Sequence, residues 1–183
     1  MFNRLTALVL LVLLSPIFVL VALLIFLDDG YPVLFKQNRV GVNYTFFNIY
    51  KFRSMKKNTP NVATHLLTDS AQYLLKIGCM MRKLSVDELP NLINILKGEM
   101  VFIGPRPALY NQDDLMALRV KAGIHKLKPG ITGWAQINGR DEISLEEKVA
   151  YETEYLKRKC IWFDTKICIR TFTKVAQSHG VKH

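Results

Sequence analysis

Asp87 and Glu88 are neighbouring carboxylates in the run Met81-Arg82-Lys83-Leu84-Ser85-Val86-Asp87-Glu88-Leu89-Pro90, and Gly104-Pro105-Arg106-Pro107 follows soon after. A carboxylate that attacks a phosphate, or holds a phosphate-bound metal, needs cations nearby to lower anion–anion repulsion with its substrate. Adjacent side chains point in different directions, so one can attack while the other holds metal. A structural reading competes. Ser85-x-x-Glu88 fits a capping box, with Leu84 and Leu89 as its hydrophobic staple, and acids in a first helical turn gain from the dipole. Pro90 bears on the register. With Ser85 as N-cap it reaches the fifth helical position and clashes with the preceding turn; with Asp87 as N-cap it lies in the first turn, where no amide partner is lost. Either register keeps both acids ionised.

Cations that could join this pair come from several places. On a strand over Phe46–Phe52, Phe47, Ile49, Lys51 and Arg53 share one face, so Lys51 and Arg53 could reach one phosphate or simply line a solvated face. Arg106 sits between Pro105 and Pro107, which stiffen the backbone on both sides and present a guanidinium shaped for bidentate phosphate binding. A plain structural turn is the alternative. The glycine-rich stretch Pro129–Asp141 fits neither the P-loop nor the dinucleotide fingerprint, which argues against a nucleoside triphosphatase or an ordinary dehydrogenase.

A chain of 183 residues suits one domain plus an anchor. Half of the residues are apolar and the net charge is +10, which points to an anionic partner: nucleic acid, anionic lipid or a phosphorylated substrate. Zinc-finger spacing, an RNA-binding signature and a basic zipper are all missing, so no nucleic acid is expected. Cys79, Cys160 and Cys168 are odd in number and lack metal or redox spacing, as expected of reduced cytosolic thiols. The four histidines form no ligand pattern.

Leu5–Leu27 is apolar and would reach about 35 Å as one helix, enough for a bilayer core of roughly 30 Å. A signal peptide fits poorly, since Arg4 is a thin basic region and no small-x-small site precedes Asp28. Ser15-Pro16 interrupts the segment near its middle, where proline removes a donor and obstructs a carbonyl while serine can bond a freed group. Physics alone favours a kinked spanning helix, with a helix-break-helix hairpin as the alternative. Basic residues beyond Asp28-Asp29 favour a cytoplasmic body.

Tyr31–Arg53 reads as a β-hairpin, with Val33-Leu34-Phe35 and Phe46–Phe52 as strands and Gly41-Val42-Asn43 as the turn. Asn58–Asn61 reads as a loop. Residues 65–83 read as a helix with Leu67, Ala71, Leu74, Gly78 and Met81 on one stripe. A short helix after Asp87 should bury Leu89, Leu92, Ile93 and Leu96 and stop at Gly98. Ser144-Leu145-Glu146-Glu147 is a capping box for a helix to Lys159. A last helix from about Asp164 carries Lys166, Arg170 and Lys174 beside Trp162, Phe163, Ile167 and Phe172. That composition suits an interface with anionic lipid, or ordinary packing on the domain core.

Five stretches together resemble one family: Lys51-Phe52-Arg53-Ser54-Met55, Arg82-Lys83-x-Ser85-x-Asp87-Glu88-Leu89-Pro90, Lys97-Gly98-x-Met100, Gly104-Pro105-Arg106-Pro107 and Pro129–Arg140. Their order and spacing are similar to the bacterial sugar transferases that are small monotopic phosphoglycosyl transferases, over essentially the whole chain. The resemblance implies transfer of a sugar-1-phosphate from a UDP-sugar to undecaprenyl phosphate, releasing UMP, as the first membrane step of glycoconjugate assembly. It implies Asp87 as a covalent nucleophile and Glu88 as ligand to Mg²⁺. It also implies an α+β, mainly helical, monotopic membrane protein: a re-entrant helix over residues 1–28 broken at Ser15 and Pro16, a β-hairpin, and amphipathic interfacial helices. Residues 29–183 would form a catalytic domain on the cytoplasmic face of the inner membrane, where downstream membrane glycosyltransferases are expected partners.

Lys51, Arg53, Arg82, Arg106 and Arg140 are the candidate phosphate clamp, with Pro105, Pro107, Asn138, Gly139 and Glu152 as further substrate-site candidates. Glu152 departs from the Asp that the family often shows before Tyr155-Leu156, and Lys157-Arg158-Lys159 is unusually basic there. A UDP-linked N-acetylated hexosamine, with or without a 6-deoxy group, is the expected sugar, from the Ala108–Gln112 stretch after the turn. Two other classes compete. A non-catalytic lipid-binding module leaves the rigid arginine turn without a use, and a common metal-dependent glycosyltransferase would show Asp-x-Asp, which is not in the chain.

Overall fold

A computed structural model describes residues 2–59, 70–139 and 143–176. It is mostly helical, with a small antiparallel sheet and a shorter parallel pair. Helices α1 (Phe2–Leu13) and α2 (Ser15–Asp29) open the chain and are bent by 62° at their break. Pro16 lies at the start of α2, where its missing N–H costs nothing, and Ser15 Oγ donates to the Val12 carbonyl at 2.7 Å. Among the described residues no single helix is long and apolar enough to cross a membrane, although the bent pair passes that test together. The arms reach only about 18 and 22 Å at 1.5 Å per residue. A bend of this size is compatible with a helix-break-helix element.

Each arm buries one stripe and exposes the rest. Ala7 of α1 packs into a cluster with Phe47, Ile49, Leu92 and Ile95, whereas Val21 and Ile25 of α2 join Phe52, Leu75 and Met81. Leu5, Val12, Val19 and Leu27 stand exposed. Near the start of the chain, Arg4 Nη2 donates to the Lys97 carbonyl at 3.0 Å.

The hairpin forms as β1 (Leu34–Val40) and β2 (Phe46–Phe52), antiparallel, with Leu34 opposite Phe52 and Val40 opposite Phe46. Its first strand runs longer than the apolar residues suggest, because Lys36–Arg39 also pair. Asn43 and Tyr44 take φ of 50° and 63° in the turn.

The expected helix over 65–83 does not form as one element. Residues 65–69 lie outside the described set, residues 70–73 make a 3₁₀ turn, and α3 covers only Gly78–Lys83. Tertiary bonds claim the backbone between them. Leu75 N–H donates to Ser54, Lys76 N–H to Asp28, and the Tyr73 carbonyl accepts from Lys56.

A 3₁₀ turn over Val86–Glu88 leads into α4 (Asn91–Lys97), which stops at Gly98 with φ of 85°. A side chain there would also meet the Arg4 guanidinium. Leu92 and Ile95 are the buried apolar residues of α4, together with Asn91 and Asn94; Ile93 is half-buried and Leu96 exposed. The buried face is rotated from the expected one towards Asn91 and Asn94, and polar bonding rather than apolar periodicity orients it. Asn94 is fully bonded into the sheet edge: its Nδ2 donates to Asn48 O and Glu99 Oε2, each at 2.7 Å, and its Oδ1 accepts from Tyr50 N–H at 3.1 Å.

β3 (Val101–Ile103) and β4 (Gly130–Thr132) pair in parallel. Between them lies α5 (Asp113–Lys121), and after them α6 (Trp134–Ile137), α7 (Leu145–Arg158) and α8 (Ile161–Ala176). The capping box on α7 is present in both directions, Ser144 Oγ to Glu147 N–H and Glu147 Oε2 to Ser144 N–H. α8 starts three residues ahead of Asp164, and its Phe163 and Ile167 pack with Trp134 and Tyr155. Lys166 and Arg170 lie over the Trp134 ring. Packing accounts for that stripe alone, since Ile161, Trp162, Ile169 and Phe172 are all at least 60% exposed.

Candidate active site

Lys51, near the end of β2, reaches the 3₁₀ turn ahead of α4. Its Nζ donates to Glu88 Oε1 at 2.7 Å, and Arg106 Nη1 lies 3.6 Å from the same oxygen. Asp87 and Glu88 are each 9% exposed, a placement that ionised carboxylates tolerate only with cations beside them. The capping reading fails here. Ser85 adopts the left-handed conformation (φ 55°, ψ 23°) with no side-chain cap, and Leu84 of the supposed staple is 52% exposed. Pro90 has helical angles and its carbonyl accepts from Ile93 N–H, so it sits in the opening turn with no amide bond lost.

Burial pushes the Lys51 ammonium below the usual lysine range and Arg106 pushes the same way, while Glu88 and Asp87 oppose them. Lys51 is thus a cation held at an electrostatic cost next to two anions.

The Pro105-Arg106-Pro107 turn is fixed at three successive carbonyls. Pro105 O accepts from Gly130 N–H at 2.9 Å, Arg106 O from Arg119 Nη2 at 2.9 Å, and Pro107 O from Arg39 Nη1 at 3.0 Å. Gly130 and Gly133 allow β4 to approach this closely, since a Cβ on either would collide with Gly104 backbone. Arg119 is in turn bound through both Nε and Nη2 to Glu152, each side chain no more than 6% exposed. A narrow cleft follows, lined by Arg39, Lys51, Glu88, Asn91, Arg106 and Pro107 among others.

Several expected residues are engaged elsewhere. Arg53 is 6% exposed and donates to Asp29 and to the carbonyls of Pro32 and Gly30. Its guanidinium ties β2 to the end of α2 and holds the Asp29 carboxyl below its usual range. Lys51 and Arg53 thus bind different partners here, Glu88 and Asp29, and the strand itself ends at Phe52. Arg82 is half-buried in the last turn of α3. Asn138 Nδ2 donates to the Trp134 carbonyl at 2.7 Å, closing its own short helix, and Gly139 follows it. Neither lines the cleft. Glu152 supports the arginine turn from behind, through Arg119. Arg140 lies outside the described residues.

Sequence reasoning missed Arg39 and Arg119. Arg39 fell in a polar run that looked like the approach to a turn, although strand alternation extended from Phe35 would have reached it. Arg119 lies on a helix with no clear apolar face, and only its three-dimensional partner reveals it.

The donor set bears on a divalent cation. Among the described residues, no group of three or more His, Cys, Asp or Glu side chains converges. Two adjacent carboxylates nevertheless fit Mg²⁺, which commonly takes one or two carboxylates and completes its shell with waters and substrate phosphates.

The bacterial sugar transferase model matches residues 1–178, and the chain belongs to that family. It is 41% identical over 182 residues to the sugar transferase EpsL of Bacillus subtilis (strain 168), covering all of this chain and 89% of the relative. It is 38% identical to the UDP-glucose:undecaprenyl-phosphate glucose-1-phosphate transferase of Escherichia coli (strain K12), across 92% of this chain and 38% of that protein. A UDP-N-acetylgalactosamine-undecaprenyl-phosphate N-acetylgalactosaminephosphotransferase of Aeromonas hydrophila is 34% identical, across 97% and 43%. The chain thus spans less than half of these last two relatives.

Proposed function

We propose that this chain transfers a sugar-1-phosphate from a UDP-sugar to undecaprenyl phosphate, releasing UMP, through a covalent intermediate on Asp87. The observation that carries it is the buried Asp87–Glu88 pair facing Lys51 and the pinned Arg106. The names of relatives that span nearly all of this chain support the acceptor and the reaction class.

In the first step an Asp87 carboxylate oxygen attacks the sugar-bearing phosphorus. The bond to the bridging diphosphate oxygen breaks, and its electron pair leaves with UMP. In the second step a phosphate oxygen of the polyprenyl acceptor attacks the same phosphorus and returns the carboxylate. Lys51 and Arg106 bind the phosphoryl oxygens and offset charge as the leaving group departs. The three bonds on the turn carbonyls hold Arg106 in place, so little of its ordering is left to binding. Glu88, with Asp87 beside it, would hold Mg²⁺, which when bound supplies charge neutralisation to the diphosphate.

The test is a screen of UDP-sugars with undecaprenyl phosphate and Mg²⁺, reading UMP. Asp87→Asn keeps size but loses the anion, so turnover should collapse by more than a thousandfold, about 4 kcal/mol of barrier, while folding survives. Wild-type-like turnover in that variant, or no sugar-phosphate adduct trapped on the native protein, would sink the covalent scheme. Relatives named for glucose and for N-acetylgalactosamine keep both hexoses in the screen alongside the N-acetylated hexosamine suggested by Ala108–Gln112.

The same proposal includes monotopic attachment at the cytoplasmic face of the inner membrane. Arg4 bonded to Lys97 keeps the start of α1 on the side of the body, and the exposed apolar faces of α1, α2 and α8 need an apolar surrounding. In cells, a cysteine replacing Asn3 and the native exposed Cys160 should both resist an impermeant periplasmic reagent. Labelling at residue 3 alone would establish a spanning helix.

A further inference from the structure

Two buried asparagines stand one turn apart on α4 and differ in what they bind. Asn94 is bonded at both ends of its amide. Asn91, 3% exposed, has an Oδ1 with no hydrogen-bond partner among the described residues. Asn91 lines the cleft with Lys51, Glu88 and Arg106, and it follows Glu88 by three residues, the spacing that places side chains on one helical face. A buried acceptor without a donor is unfavourable, and such sites are retained where a ligand completes them.

We propose that Asn91 is a ligand-binding residue whose Oδ1 accepts a hydrogen bond from a neutral O–H or N–H in the filled cleft. The donor is either a hydroxyl or amide of the UDP-sugar or a water held on the divalent cation beside Glu88. The inference rests on the phosphoglycosyl transferase reading and deepens it by adding a positional determinant beyond the cations. Lys51 and Arg106 recognise charge that every nucleotide diphosphate shares. An amide carbonyl instead rewards a correctly placed donor, which is how uncharged groups are told apart.

The experiment uses the full chain in detergent. Mn²⁺ affinity is read by electron paramagnetic resonance without nucleotide, KM is measured for the UDP-sugar that the wild type turns over, and the unfolding temperature is recorded. Asn91→Leu removes the acceptor at similar volume and should leave the unfolding temperature unchanged or higher, because an unmet polar group is lost. It should weaken one of the two ligands about tenfold, the usual scale for a supporting ligand contact. Weaker Mn²⁺ binding assigns the partner as a metal-held water; a raised KM at unchanged Mn²⁺ affinity assigns it to the UDP-sugar. Asn91→Asp keeps an acceptor and should recover most of whichever loss is seen. Unchanged Mn²⁺ affinity and KM in Asn91→Leu overturn the proposal, as does a lowered unfolding temperature with both values intact, which marks a packing role. A wild type that binds no Mn²⁺ and turns over no UDP-sugar overturns the parent reading and this one together.

Discussion

Two ion pairs in this protein are built from the same kinds of group and are held very differently. Arg119 and Glu152 meet through two guanidinium nitrogens and both carboxylate oxygens, deep between α5 and α7. Lys51 and Arg106 instead crowd a single oxygen of Glu88 at the wall of a cleft, with Asp87 next to it. The first arrangement matches donors to acceptors and directs its further bond to a backbone carbonyl, that of Arg106. The second sets two cations and two carboxylates side by side at an opening, where an incoming phosphate would compete for the cations. A pair closed inside the protein has a partner fixed by the fold, whereas charges gathered at an opening can exchange partners with a ligand.

Breaking the matched pair should have the largest effect on stability. Arg119→Leu leaves the Glu152 carboxylate buried without its partner, at a cost of about 3–5 kcal/mol, read as a lowered unfolding temperature. Replacing both by leucine should recover most of that stability. Activity should stay low, because the Arg106 carbonyl still lacks its donor and the turn is loosened. Full activity in the double variant would show that the turn needs no such support.

The group at the cleft should respond the other way. Lys51→Met removes a cation that burial already disfavours, so the unfolding temperature should move less than in Arg119→Leu. Turnover should fall about a hundredfold, the scale of losing one charge-stabilising donor. Equal stability losses in the two variants would erase the distinction drawn above.

A pH profile sharpens the same point. The Lys51 pKa is lowered from the ordinary 10.5, so its ammonium loses its proton at a lower pH than a typical lysine. Activity should decline on the alkaline side below that value, as the clamp loses its charge. In Lys51→Arg the decline should move to higher pH, since a guanidinium stays protonated. An alkaline limb at the same position in both would assign it to another group.

The smallest expected change concerns Ser85, in the left-handed region just ahead of the acids. Ser85→Gly relieves that conformation and gives back part of the gain through the unfolded chain, for a net stabilisation of about 0.5 kcal/mol. A loss of stability would mean that the hydroxyl matters after all.

Much of the arrangement was legible from residue type and spacing. Asp87, Glu88, Lys51 and Arg106 come together, the hairpin and the α7 cap form where expected, and Ser15-Pro16 breaks the first helix. Long-range hydrogen bonds hid the rest. The expected helix through Leu74 lost its backbone donors and acceptors to Ser54, Asp28 and Lys56, none of which local periodicity can see. Arg53 looked like a partner for Lys51 because alternation was extended one residue past the strand. Glu152 could be marked as a candidate, but its route to the turn runs through Arg119, 33 residues earlier. Buried polar pairs leave little trace in one dimension.

The bond from Arg4 to the Lys97 carbonyl joins positions 93 residues apart, and Ala7 waits for Leu92 and Ile95 in the same way. During synthesis the first helix leaves the ribosome long before the surface that buries its inner stripe exists. Closing so large a loop is slow, and exposed apolar surface in the interval invites wrong partners. This helix is therefore made well before its partners and is among the last to be seated. A ribosome stalled before α4 should present α1 to a chaperone or a lipid surface, and one stalled well past Lys97 should not present that inner stripe.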